Sequence, residues 1–132
     1  VDALKSRGIA AAAINSTQSS REQWSHIQGM VNGELKLVYI APERFRHQGF
    51  VEQLKQADIR FVAVDEAHCV SQWGHDFRPD YRALGRLADL FPGVPRMAVT
   101  ATADARTRED MLGQLALNTP RVHVASFDRP NL

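Results

Sequence analysis

The sequence predicts an α/β domain in which a parallel sheet is flanked by helices. Short apolar runs of strand length alternate with helical segments along the chain. These runs are continuously apolar, which is typical of parallel strands that are covered on both faces. Of the 132 residues, 44% are apolar, which is enough to form the core of one domain.

Five apolar runs are predicted to be strands. They cover residues 9–14, 36–41, 60–64, 96–100 and 121–125. Pro42 ends the second run, because proline has no N–H to donate to a strand ladder. The strands are therefore short and clearly bounded, and each is separated from the next by a segment with helical character.

Four segments are predicted to be helices. They cover residues 21–31, 50–57, 81–91 and 104–117. Trp24, Ile27 and Val31 share one face of the first helix and are expected to pack inward. Pro79 precedes the third helix, and Asp104 is placed to cap the fourth.

The charge balance excludes a generic polycation. The 16 Lys+Arg and 15 Asp+Glu residues leave a formal charge of +1, whereas non-specific nucleic-acid binding needs clustered cations. A groove that uses a few placed residues remains compatible with this balance.

The single cysteine, Cys69, excludes an internal disulfide and fits a reducing cytosol. The longest apolar run, residues 9–14, is too short to cross a membrane.

Two adjacent carboxylates, Asp65 and Glu66, directly follow the predicted strand 60–64. Ligands of open α/β sheets bind at the carboxyl ends of the strands. One carboxylate there can hold Mg²⁺ through water, and the next can orient or deprotonate a water that attacks a phosphoryl group. By position alone, the pair could equally be a solvated strand end.

Aromatic residues stand in the segment that follows. Trp73 and Phe77 lie among glycine, proline and charged residues, so they do not continue an apolar stripe. Exposed aromatic rings stack on unpaired bases, and His75 and Arg78 are placed to meet phosphates. On composition alone, Trp73 and Phe77 could instead fill the local core, because large aromatic side chains are usually well buried.

Residues 65–81, DEAHCVSQWGHDFRPDY, and the TATA of residues 100–103 closely resemble the RecQ family of DNA helicases. LVYIAPER at residues 37–44 and SFDRPN at 126–131 extend the resemblance over essentially the whole chain. Many helicases carry a DEAH box, but DEAH, QWGHDF and TAT at this spacing are highly specific. The resemblance implies a partial RecA-like P-loop NTPase domain, part of a superfamily 2 motor that uses ATP and Mg²⁺ to unwind DNA 3′ to 5′ in repair and recombination.

The resemblance implies roles for three groups of residues. The catalytic pair is Glu66 and Asp65, and Asp65 also holds Mg²⁺ through water. The residues of the nucleotide site are Asp65, His68, Thr100 and Thr102, with the two threonines coupling it to DNA. The residues that contact DNA are Trp73, His75, Phe77, Arg78, Ser16, Thr17 and Arg44.

Simpler roles stay open for several of these residues. Ser16 and Thr17 can serve only as turn and cap residues, and Thr102 can cap a helix. A lone histidine such as His68 is often structural. A zinc site built from His68, Cys69 and His75 is disfavoured, because neighbouring side chains point apart and no second ligand pair has zinc-like spacing.

No phosphate-binding loop of the form G-x-x-x-x-G-K-[ST] occurs in the chain, since none of Lys5, Lys36 and Lys55 follows glycine. The resemblance places that loop before residue 1, its strand beside the strand at 96–100, and the second motor domain, zinc-binding and winged-helix regions after residue 132. Residues 1–125 are then a partial first motor domain and 126–132 the start of a linker. Such a fragment is expected to be inactive alone, with unpaired strand edges that invite aggregation.

The expected partners are single-stranded and forked DNA, with single-stranded-DNA-binding protein as a further partner and no membrane. The expected location is the cytoplasm, at the bacterial nucleoid. The main alternative is a non-catalytic DNA-binding or interaction module derived from such a motor. An RNA helicase with a DEAH box is disfavoured, because RNA-directed relatives generally lack the QWGHDF loop.

Overall fold

A computed structural model describes residues 1–117 and 120–125 of the chain. Its strands are β1 (Ala11–Ile14), β2 (Leu37–Ile40), β3 (Val62–Val64) and β4 (Arg96–Ala98). Its α-helices are α1 (Asp2–Ser6), α2 (Ser20–Val31), α3 (Gln48–Leu54), α4 (Leu87–Leu90) and α5 (Ala105–Gln114). Three 3-10 helices cover Pro42–Arg46, Ala67–Val70 and Pro79–Arg86.

All four strands pair in parallel, as the sequence predicts. β1 pairs with β2, with Ala11 opposite Leu37, and β3 pairs with β4, with Val62 opposite Arg96. Parallel neighbours require crossover connections, which are supplied by α2 for the first pair and by a mainly helical segment for the second. The α/β fold class with parallel strands flanked by helices is thereby confirmed.

The described strands form two separate two-stranded sheets, β1–β2 and β3–β4. Exposed side chains stand on β2 and β4: Leu37 and Tyr39 on β2 are 41% and 52% exposed, and Met97 on β4 is 45% exposed. The expectation that the strands are covered on both faces is therefore wrong for β2, β3 and β4, whereas β1 is covered on both faces. On the other face of β2, Val38 and Ile40 pack against the core.

Helix α2 begins where the Ser19 hydroxyl accepts a hydrogen bond from the Glu22 N–H at 3.1 Å. The expectation that Trp24 packs inward is wrong, since this side chain is 53% exposed. Polar side chains of α2 face the preceding segment: Gln23 donates to the Gln18 carbonyl at 2.9 Å, and His26 lies 2.9 Å from the Ala13 carbonyl of β1. These contacts direct the inner face away from Trp24 and toward buried Ile27.

The single helix predicted at residues 81–91 is wrong in kind. The chain instead forms the 3-10 helix Pro79–Arg86, followed by the one-turn helix α4. Gly85 lies close to α5, because an added Cβ would stand 2.6 Å from the Gln114 carbonyl oxygen. The tighter 3-10 geometry accompanies this close approach of the backbones.

Helix α5 ends at Gln114, earlier than predicted. Arg96 of β4 caps its carboxyl end by donating to the Leu115 and Ala116 carbonyls at 2.6 and 3.0 Å. Residues 121–125 form no strand and are exposed, so the fifth predicted strand is also wrong. The predicted linker, residues 126–132, lies outside the described residues, as does the SFDRPN segment.

The core extends directly beneath the strand-end carboxylates. Ile14, Val51, Leu54 and Val70 are at most 1% exposed and belong to one apolar cluster. The 3-10 helix Ala67–Val70 is buried at every position. The segment that follows the two carboxylates is therefore held by core packing.

Candidate functional site

A sharp backbone turn presents the two carboxylates. Asp65 and Glu66 follow the end of β3, and both are exposed. Glu66 adopts a left-handed conformation with φ 49° and ψ 41°, which costs a residue with a Cβ roughly 1–2 kcal/mol. Its N–H donates to the Asp65 carboxylate at 2.8 Å, and the Ala67 N–H donates to the Val99 carbonyl at 3.0 Å. The chain thus passes from strand to buried helix in two residues.

The sequence gives no signal for this left-handed residue, because glutamate has no preference for the conformation. Backbone strain of this kind persists where the surrounding structure fixes it, and it is frequent at functional sites. The exposed Asp65 and Glu66 carboxylates supply the hard oxygen ligands that Mg²⁺ prefers. The donor set at the end of β3 therefore fits a hydrated Mg²⁺.

His68 connects the carboxylates to the end of β4. Its side chain is 4% exposed, and its Nε2 lies 3.6 Å from a Glu66 carboxylate oxygen. On the other side of the ring, Nδ1 forms a 2.7 Å hydrogen bond with the Thr100 hydroxyl, across 32 residues of sequence. The buried imidazole therefore bridges the DEAH and TAT segments.

The two threonines of the TAT segment are not equivalent. Thr100 is half-buried against His68, whereas Thr102 is exposed and donates its N–H to the Thr100 hydroxyl at 3.3 Å. Of the two capping candidates, Asp104 caps α5, by accepting from the Thr107 N–H at 2.8 Å. This hydrogen bond holds the pKa of Asp104 below its ordinary value.

The aromatic loop, residues 71–78, folds back onto the 3-10 helix that follows the carboxylates. The Arg78 N–H donates to the Cys69 carbonyl at 2.9 Å, and the Gly74 N–H donates to the Ser71 carbonyl at 3.2 Å. Gly74 lies so close that an added Cβ would stand 3.1 Å from the His68 carbonyl oxygen. The loop is thus held against the same segment that positions His68.

Ring contacts join the loop to its surroundings. The His75 ring stacks on His68, with centroids 4.9 Å apart and planes 14° apart. Trp73 is 56% exposed, so it does not fill the local core, while Phe77 is half-buried. The guanidinium carbon of Arg106 lies 3.3 Å from the Trp73 ring centroid. Arg106 is not among the site residues predicted from the sequence, since nothing in its local sequence indicates a contact 33 residues away.

A polar network surrounds the carboxyl end of the loop. Arg78 donates to Asp76 at 3.1 Å, and this hydrogen bond lowers the pKa of Asp76 and raises that of Arg78. Burial raises the pKa of the Cys69 thiol, whose sulfur lies 3.9 Å from an Asp76 oxygen. Burial also raises the pKa of Tyr81, so its hydroxyl stays protonated and donates to the Asp65 carbonyl at 3.3 Å.

Within residues 1–117 and 120–125, the ligand atoms of His68, Cys69 and Asp76 lie within 4.8 Å of one another. The neighbours His68 and Cys69 therefore converge, contrary to the expectation that their side chains point apart. Zinc needs a thiolate, which the raised pKa of Cys69 disfavours. The Asp76 carboxylate is also held by Arg78. His68, Cys69 and Asp76 therefore form a packed polar network and not a zinc site.

The ends of β1 and β2 carry the other candidates for DNA contact. The Ser16 hydroxyl donates to Glu43 at 3.2 Å, and Thr17 donates to Asn15 through its N–H at 3.1 Å and its hydroxyl at 2.6 Å. The Arg44 guanidinium lies over the Phe50 ring, 5.0 Å from its centroid. In the described part of the chain, no hydrogen bond or salt bridge joins these residues to Asp65 or Glu66.

Parallel strands with adjacent carboxylates at a strand end are typical of the phosphoryl-transfer domains that use nucleotides. Residues 1–111 match the family model described as "DEAD/DEAH box helicase". The chain belongs to this family of helicases.

Relatives carry the classification further. The "ATP-dependent DNA helicase RecQ" of Pasteurella multocida is 48% identical over the whole chain, which covers 21% of that protein. The protein of the same name from Bacillus subtilis is 45% identical over the whole chain and 22% of its own length. "ATP-dependent DNA helicase Q1" of Mus musculus is 42% identical over 98% of the chain and 21% of its own length.

These identities confirm the resemblance to RecQ helicases. The chain spans about one fifth of the length of the curated relatives it matches. Among the helices in the described ranges, none has the length and apolar character needed to cross a membrane.

Proposed function

We propose that the chain forms part of the first motor domain of a RecQ-type, ATP-dependent 3′ to 5′ DNA helicase that unwinds duplex DNA in repair and recombination. The observation that carries the proposal is the link made by buried His68. It joins a strand-end carboxylate, the TAT threonine and the aromatic loop in one contiguous set of contacts. The identity of 45–48% to RecQ proteins supports the same function.

In this proposal, Asp65 holds Mg²⁺ through water and Glu66 orients and deprotonates the attacking water. When bound, Mg²⁺ would neutralise charge on the β- and γ-phosphates of ATP. Residues of the parent protein outside this chain supply the phosphate-binding loop. His68 orients Glu66 through its Nε2, and Thr100 holds His68 through its Nδ1. Both roles fit the buried position of the ring between the two residues.

DNA binding is proposed for the aromatic loop. Trp73 offers an exposed ring to an unpaired base, while His75, Phe77 and Arg78 line the same loop. A shift of the loop on DNA would move the His75 ring that rests on His68. The loop would thereby couple DNA binding to the hydrolytic carboxylate, with Thr100 and Thr102 carrying the coupling to the end of β4.

Ser16, Thr17 and Arg44 are proposed to meet the DNA backbone at the ends of β1 and β2. The Arg44 guanidinium, which lies over the Phe50 ring, would supply the positive charge for a phosphate at the end of β2. The proposed substrates are single-stranded and forked DNA, with single-stranded-DNA-binding protein as a partner at the bacterial nucleoid. Residues 1–125 would belong to the motor domain and 126–132 to the linker.

One observation favours a second candidate function. The 132 residues contain no G-x-x-x-x-G-K-[ST] segment, so this chain can bind DNA through its loop without binding a triphosphate tightly. A non-catalytic DNA-binding or interaction module is therefore the alternative.

Single-stranded-DNA-stimulated ATP hydrolysis by the parent protein separates the two. Glu66→Ala is expected to lower hydrolysis by about 10²–10⁴-fold while DNA binding is retained. Trp73→Ala is expected to keep basal hydrolysis and lose the stimulation by DNA. Absence of DNA-stimulated hydrolysis in the wild-type parent would reject the motor and favour the binding module.

A further inference from the structure

The exposed indole of Trp73 has a cationic group on one of its faces. The Arg106 guanidinium carbon is 3.3 Å from the ring centroid, a distance at which the planar cation lies against the π-face. Trp73 nevertheless remains 56% exposed. One face of the ring is therefore in contact with Arg106, while more than half of the residue remains open to solvent.

The arginine is presented from a fixed position. It stands in the first turn of α5, between the capping residue Asp104 and Thr107, which is 2% exposed. The cap hydrogen bond from the Thr107 N–H, at 2.8 Å, fixes the backbone of this turn. Because α5 follows the TAT segment at the end of β4, Arg106 ties the aromatic loop to that strand end.

Within residues 1–117 and 120–125, Arg106 is not held in a salt bridge, although it lies close enough to the Asp104 carboxylate to help the Thr107 hydrogen bond lower the pKa of that group. Arg78, on the aromatic loop, is instead paired with Asp76. Stacking on an indole leaves the N–H groups at the edge of the guanidinium free for acceptors. Arg106 therefore combines a stacking contact with a positive charge that remains available to an anion.

We propose that Arg106 and Trp73 form a two-residue platform for one nucleotide of single-stranded nucleic acid. Arg106 backs one face of the indole, the other face stacks on an unpaired base, and the guanidinium edge attracts the phosphate of the same strand. Arg106 is a binding and positioning residue here, since it holds the ring that meets the base. This assignment rests on the proposed function of the aromatic loop.

Equilibrium binding of a fluorescent oligothymidine to the parent protein tests the platform. Arg106→Ala is expected to weaken binding about three- to tenfold. Arg106→Lys keeps the charge but loses the planar stack, so it should restore only part of the affinity. Arg108→Ala, two residues further along α5, is the matched control and should change affinity by less than about twofold.

A double-mutant cycle with Trp73→Ala isolates the contact between the two residues. Within the Trp73→Ala background, Arg106→Ala should cost much less affinity than in the wild type, because its stacking partner is gone. A ¹⁹F resonance of 5-fluorotryptophan at Trp73 should shift in Arg106→Ala, and oligothymidine should shift it in the wild type. Thermal melts of the variants confirm that each is folded.

Four results would overturn the platform. Additive losses in the cycle would show that Arg106 acts through charge alone, and tighter binding by Arg106→Ala would show that it blocks the ring. No loss of affinity in Trp73→Ala would reject both the platform and the proposed role of the loop. A loss in Trp73→Ala with none in Arg106→Ala would reject the platform alone.

Discussion

The two halves of the domain have the same architecture but different strand ends. β1–β2 and β3–β4 are both parallel pairs that are followed by polar residues. After β1, Thr17 bonds with Asn15, two residues away. After β3, the contacts reach far along the chain: His68 bonds with Thr100, and Trp73 stacks on Arg106. The first strand end has mainly local turn contacts, with the Ser16–Glu43 hydrogen bond as its long-range contact. The second strand end is built from contacts between distant segments.

Among the contacts that follow β3, the His68–Thr100 bond should cause the largest loss of DNA-stimulated hydrolysis when it is broken. Thr100→Val removes the hydroxyl at 2.7 Å from His68 Nδ1 and leaves a buried imidazole nitrogen without its partner. Loss of a bond of this kind is worth roughly 1–3 kcal/mol, so DNA-stimulated hydrolysis by the parent should fall about tenfold or more. The measurement is the hydrolysis rate with and without single-stranded DNA.

Thr102→Val is the matched control for Thr100→Val. Thr102 is exposed, and it contacts Thr100 through its backbone N–H, which the substitution preserves. Its hydrolysis should stay within about twofold of the wild type. Equal losses in the two variants would remove the special role of the His68–Thr100 bond and leave a general requirement for the TAT segment.

The two capped helices provide a second and smaller test. Ser19→Ala should lower the free energy of unfolding by about 1 kcal/mol with no change in DNA affinity, because α2 leads to no loop contact. Asp104→Ala removes the equivalent cap of α5 and should also weaken oligothymidine binding several-fold, because Arg106 stands in the same turn. Denaturant unfolding and DNA titration of both variants check this contrast. Equal DNA affinities would show that the cap does not position Arg106.

The parallel α/β class and most of the strand positions follow from the sequence, because continuous apolar runs and turn residues act locally. The break at Pro79–Arg86 does not follow, since it accompanies the approach of Gly85 to α5. Among the site residues, Asp65 and Glu66 are marked by their place after a strand. The left-handed turn at Glu66 and the Arg106 contact depend on tertiary packing, which no local pattern encodes.

The β1 side of the comparison can be tested directly. If turn chemistry is the whole role of Thr17, Thr17→Val should change DNA affinity less than about twofold. Arg44→Ala should weaken binding to all sequences alike and reduce the slope of log affinity against log salt by about one, because its proposed contact is a phosphate. Titrations at several salt concentrations measure both. An unchanged slope in Arg44→Ala would restrict the proposed DNA contacts to the β3–β4 half.

The smallest expected effect concerns pH and the Asp76–Arg78 pair. The hydrogen bond from Arg78 lowers the pKa of Asp76 from its ordinary value of 3.8. A carboxylate with a lowered pKa in the folded state stabilises the fold fully above its ordinary pKa, and that contribution is lost as pH falls through the lowered value. The pair should therefore stay intact from pH 8 to pH 5, and any change of DNA affinity in that range must come from other groups.

Asp76→Asn removes the charge at every pH and provides the comparison. The wild-type parent should unfold at a slightly higher temperature than Asp76→Asn at pH 7, and the difference should shrink as pH falls below about 4. The effect is small because both partners are partly exposed, at 62% for Arg78 and 44% for Asp76. If the difference in unfolding temperature grew as pH fell, the pH dependence would have the opposite sign. The charged Asp76 carboxylate would then destabilise the folded loop. A constant difference would show that the carboxylate charge contributes nothing, so that the loop is held against the DEAH segment by the His75 stack and its backbone hydrogen bonds alone.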